Sequence, residues 1–129
     1  MNGRSLWLTL LLSLSSAAIA ATGSWQGTTK DVWLRLADRE VVSELMSPPA
    51  LAQGRQMGAV RWQFSVPPLA AVEVWLCHPQ HCVALKQTRG VTHALTGLSA
   101  SQSLQFRYVL RERGTAVAVK GAQVLVEYR

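Results

Sequence analysis

The chain has 129 residues, 13 Lys and Arg against 7 Asp and Glu, a formal net charge of +6, and 49% hydrophobic residues. That length fits one domain with a real core but not two, so the chain can offer one site or one surface. The basic balance favours acidic partners, yet the cations are scattered rather than clustered. This excludes the footprint of a nucleic-acid binder and favours anionic envelope polymers, lipid head groups or acidic protein surfaces.

The N-terminus carries Arg4, an apolar run from Leu6 to Leu12, and small residues at Ala18 and Ala20. These features predict a cleaved secretory signal peptide over residues 1–20. The run is too short for a membrane-spanning helix, and no Cys follows the cleavage point, so no membrane anchor is expected. Residues 21–129 then form the exported domain. Losing Arg4 leaves 12 cations and 7 acids, a net charge of +5.

Along that domain, alternation with a period of two predicts strands. Ala59 to Val66 puts Val60, Trp62, Phe64 and Val66 on one face. Ala71 to Cys77 puts Val72, Val74 and Leu76 inward and leaves Glu73 and Trp75 outward. Ser103 to Leu110 and Ala122 to Arg129 follow the same rule, with Leu104, Phe106, Tyr108 and Leu110 on one core face and Val124, Val126 and Tyr128 on another. Weaker strands are expected over Val32 to Ala37, Glu40 to Leu45, Cys82 to Lys86 and Ala116 to Val119. Turn signals fall at Asp38-Arg39, Ser47-Pro48-Pro49, Pro67-Pro68, Arg89-Gly90, Gly97, Arg113-Gly114 and Lys120-Gly121. Only Pro48 to Met57 could be helical, and Gly54 cuts it short. The expected fold is all-β: a single-domain antiparallel β-sandwich of seven or eight short strands.

Cys77 and Cys82 flank His78-Pro79-Gln80-His81 at the junction of two strand-like runs, and a hairpin disulfide is the natural reading in an oxidising compartment. A zinc site built from Cys77, His78, His81 and Cys82 is the rival. Structural zinc ligands, however, generally come in pairs spaced by two or more residues and drawn from distant parts of the chain. Neighbouring side chains on a strand also point to opposite faces. No metal and no cofactor are expected. Catalytic templates find no match either: His93 is the only histidine away from the cysteine loop, and no carboxylate pair or phosphate-binding glycine loop stands out. No catalytic residue is assigned.

A binding surface is the remaining option. Trp75 lies on the outward face of its strand, and with Arg61 and Arg107 on neighbouring strands it would form an aromatic patch flanked by arginines. Arg61, Trp75 and Arg107 are therefore the candidate partner surface. The run Val32-Trp33-Leu34-Arg35-Leu36 leaves the face of Trp33 open.

Ordered motifs along most of the chain carry a resemblance. They are Gly23-Ser24-Trp25-Gln26, Val60-Arg61-Trp62-Gln63-Phe64, Val74-Trp75-Leu76-Cys77 with Cys82-Val83-Ala84-Leu85, Leu104-Gln105-Phe106-Arg107-Tyr108, and Gln123 to Arg129. In this order they resemble the FlhE family of small periplasmic flagellar proteins. The resemblance implies a non-enzymatic accessory role in flagellar biogenesis near the flagellar type III export apparatus, limiting proton leakage through its gate. Export-gate or rod components are the partners it implies. The alternatives are a periplasmic chaperone for secreted flagellar subunits, acting through an exposed edge strand, and a cell-wall glycan-binding module.

Overall fold

The computed structural model describes residues 22–129; the expected signal peptide lies outside them. Nine strands occur among the described residues: β1 Gly23–Thr28, β2 Val32–Leu34, β3 Glu40–Val42, β4 Met57–Ser65, β5 Val72–His78, β6 His81–Leu85, β7 Arg89–Thr92, β8 Gln105–Leu110 and β9 Val117–Tyr128. They form two antiparallel sheets, as expected of a sandwich. One runs β1-β9-β4-β7 with β2 also on β9, and the other runs β3-β8-β5-β6. The 48–57 segment holds only a short 3₁₀ turn at Ala50–Ala52.

The apolar faces assigned by alternation meet in one core. Val60, Phe64, Val74, Leu76, Leu104, Phe106, Tyr108, Leu110, Val124, Val126 and Tyr128 are all buried in it. Trp62 is half-buried against its edge, with its indole N–H donated to the Gln87 carbonyl at 3.0 Å.

Two expectations about strands are corrected. The segments Ala116 to Val119 and Ala122 to Arg129 are a single 12-residue strand, β9, and Lys120-Gly121 is a β-bulge within it. Between the pairs Gln63↔Gln123 and Ser65↔Lys120, β9 advances three residues while β4 advances two, and Gly121 takes φ +61°. That conformation suits glycine. The extra residue reverses the facing of every later side chain, so Val117 and Val119 before it and Ala122, Val124 and Val126 after it all point inward. Arg89-Gly90, read as a turn, instead opens β7, where Gly90 pairs with Trp62.

The β1 strand had no sequence-based assignment. Along β9 it is followed by β2, and the break between them falls opposite the bulge, where the Thr29 N–H bonds the Ala122 carbonyl at 3.0 Å. Strand direction places the 35–39, 66–71, 86–88 and 111–116 loops together at one end of the sandwich. The 79–80 turn and the long 43–56 and 93–104 segments lie at the other.

Candidate functional site

The β5–β6 hairpin is pinned by a Cys77–Cys82 disulfide between residues directly opposite in register, with Cα atoms 4.0 Å apart. The connection is tighter than the sequence suggests, because His78 and His81 are themselves paired and only Pro79-Gln80 turn. Neither turn residue has positive φ, so the turn is of the unprimed class, which splays its strands. The disulfide one pair away holds those strands together. His78 completes the turn from inside: its Nδ1 accepts the Gln80 N–H at 3.1 Å, which leaves Nε2 to donate to the Ser99 carbonyl at 2.9 Å. Cys77, Cys82 and His78, three of the four groups weighed as zinc ligands, are thus committed elsewhere. Replacing both cysteines by alanine is expected to cost about 2 kcal/mol, the entropy of a short closed loop, with cooperative unfolding retained. Urea denaturation of the double variant measures this, and collapse to an unfolded chain would contradict it.

Beside the hairpin, the outer face of the β3-β8-β5-β6 sheet carries a cross-strand row of Val42, Arg107, Trp75 and Ala84. Trp75 and Arg107 are directly paired and both half-buried, and the Arg107 Nε is buried without a hydrogen-bond partner among the described residues. Val42 and Leu45 stand exposed at the rim, at 47% and 62%. Leu45, Gln105 and Arg107 line a shallow hollow that reaches the disulfide hairpin. An aromatic ring beside a half-buried guanidinium, bordered by apolar side chains, can hold a partner's acidic or carbonyl groups against an apolar surface.

Arg61 is not part of this row. It lies on β4, between Leu125 of β9 and Val91 of β7, on the outer face of the opposite sheet. Alternation had given it an outward face correctly but could not say which sheet it belongs to. Its surroundings are glutamine-rich: Gln26, Gln63 and Gln123 line the same shallow depression, and the Gln26 Nε2 donates to the Gln123 Oε1 at 3.0 Å.

At the loop-rich end, Arg111 joins the 35–39 loop to β5, with Nε and Nη2 donating to Glu73 at 3.1 and 2.9 Å and Nη1 donating to Asp38 at 3.1 Å. The Glu73 hydrogen bonds first, and the Asp38 bond second, raise the Arg111 pKa further above its ordinary value. These exposed pairs orient the loops more than they stabilise the fold. Inside, burial raises the Tyr108 pKa, and the adjoining Thr29 side chain opposes this from a geometry too poor for a full hydrogen bond. Trp33, whose face was open, is 52% exposed, and the Arg35 guanidinium lies 5.4 Å from its ring centroid. Sequence reasoning had not picked out this end. The two-residue spacing of Trp33 and Arg35, which sets them on one face of a strand, was the available signal.

Fold and surface together define a small disulfide-pinned antiparallel β-sandwich whose distinctive outer features suit binding. A model of this kind of protein, "Flagellar protein FlhE", matches residues 32–129. The chain is 30% identical to flagellar protein FlhE of Salmonella typhimurium over 128 residues, 95% of this chain and 98% of that one. It is 29% identical to that of Escherichia coli K12, covering 98% and 99%. A crystal structure of FlhE superposes with a TM-score of 0.75 at 30% identity, over 85% of this chain and 99% of that one. The chain belongs to the FlhE family of flagellar proteins.

Proposed function

We propose that this chain is a periplasmic, non-enzymatic accessory protein of flagellar biogenesis that acts beside the flagellar type III export apparatus and limits proton leakage through its gate. Membership of the FlhE family supports the flagellar association. The disulfide suits an oxidising compartment such as the periplasm.

The observation that carries a binding role is the Trp75–Arg107 pair, an aromatic and a half-buried cation directly opposite in register, set beside exposed Val42 and Leu45. A contact through this face needs no chemistry, only exclusion of water and of protons from the partner surface it covers.

The test is a deletion strain complemented with the wild-type chain or with Trp75→Ala/Arg107→Ala, scoring swarming and cytoplasmic pH with and without a complete export gate. A pH drop that requires the gate, is corrected by the wild-type chain and persists with the variant is the expected result. Normal pH in the deletion strain overturns the leak-limiting role. Lost swarming at normal pH would instead favour a chaperone of secreted subunits.

A further inference from the structure

The loop-rich end of the sandwich contains a backbone that works against its own sequence. Pro67-Pro68-Leu69-Ala70 closes with the Ala70 N–H on the Pro67 carbonyl at 3.1 Å, and Leu69 takes φ +65°. Proline at the second turn position with positive φ at the third defines a type II turn, whose third position normally belongs to glycine or asparagine. A leucine there is strained, and its side chain is 99% exposed. Neither folding nor the core gains from that choice. A local rule broken without an internal compensation marks a residue kept for something outside the fold.

The surroundings of Leu69 say what that is. Leu36, at 56% exposure, tips the 35–39 loop at the same end, and Trp33 stands half-exposed on the strand leading into it. Arg35, Arg39 and Arg113 surround one depression with Leu36 and Gly114, and Lys86 lies in the 86–88 loop on the other side of the Leu69 turn. None of these four cations forms an ion pair among the described residues, whereas Asp38 and Glu73 are occupied by Arg111. Glu40 and Glu112 are the remaining acids close by. Projecting apolar tips ringed by uncommitted cations, with an indole at their margin, match the layered chemistry of an anionic bilayer surface. Cations meet the phosphates, the indole meets the head-group zone, and leucine enters the acyl boundary.

We propose that this end, with Leu69 as its apolar tip and Arg35, Arg39, Lys86 and Arg113 as its cationic ring, docks on the surface of anionic phospholipid membranes. The docking is independent of the flagellar reading. It would leave the Trp75–Arg107 row on a side of the molecule, free to meet a membrane-embedded partner.

The test is flotation of the purified protein with vesicles of phosphatidylglycerol and phosphatidylethanolamine against vesicles of phosphatidylcholine alone. The wild-type chain should bind the anionic vesicles, weaken steeply with salt, and leave the neutral ones. Leu69→Asn, which suits positive φ, should weaken binding about tenfold while melting no lower than wild type. Arg39→Gln/Arg113→Gln should weaken it roughly tenfold or more. Comparing variants cancels any contribution of the apolar residues 6–12, which all share. Absence of anionic-vesicle binding, or binding equally strong in both variants, overturns the proposal. If vesicles are not bound but Leu69→Asn still fails to complement a deletion strain, the tip contacts a protein instead. The vesicle result stands apart from the pH and swarming assays, so either reading can fail alone.

Discussion

Phe106→Ala is expected to destabilise the protein by about 3–5 kcal/mol, the range for truncating a buried phenylalanine. Phe106 is fully buried on β8, which lies between β3 and β5 and can relax toward neither side. Its ring stacks with Tyr108 at 6.0 Å between centroids, and Leu76 is its partner on β5. Its backbone is held just as firmly. The Phe106 N–H is accepted by the buried Ser43 Oγ at 2.9 Å, and its carbonyl accepts the Ser43 N–H at 2.9 Å. With the backbone fixed from both sides, the cavity cannot close, and the upper part of the range applies. A shift in the urea midpoint at constant slope measures this. A loss under about 1 kcal/mol would show that the core repacks around the site.

Gly27→Val should cost about 2–3 kcal/mol by overpacking. A Cβ built at Gly27 falls 2.8 Å from Trp25 Cζ3 and 2.9 Å from Met46 Cβ. The Met46 Cβ cannot swing away, because Met46 is itself bridged to Leu104 through backbone hydrogen bonds of 2.7 and 3.1 Å. Gly58→Ala is the matched control. Its Cβ meets nothing closer than 3.5 Å, and its melting temperature should barely move. If the two variants melted alike, the steric account of Gly27 would fail.

Gly27 also explains which strands the sequence concealed. In β1 the inward positions include Trp25 and Gly27, and a Cβ at Gly23 would meet the Tyr128 ring at 2.5 Å. In β7, Gly90 lies beneath Trp62, whose ring atoms would stand 2.7 Å from a Cβ there. Both strands use glycine where an aromatic ring covers the backbone, and glycine between polar residues reads as a turn when the covering ring belongs to another segment. Lys120-Gly121 misled for a related reason. A bulge and a turn share the same local signal, and only pairing with β4 separates them.

The candidate surface divides along the same line. That Trp75 and Arg107 face outward was legible, and the register pairs them. Separating Arg61 from them required knowing that β4 and β5, although consecutive, belong to different sheets. The Leu69 tip was invisible in sequence because the residue type argues against the turn it occupies.

The sequence by itself determined the all-β class, the core face of each strongly alternating strand and the pairing of the two cysteines. Side-chain facing has a period of two residues, and a short cysteine spacing closes a local loop, so both are properties of a few neighbouring positions. Tertiary structure alone decided sheet membership, strand order, the joining of two predicted strands through the Gly121 bulge, and the gathering of four loops at one basic, leucine-tipped end. Those depend on which distant segments hydrogen-bond to one another, and alternation specifies a face without specifying a neighbour.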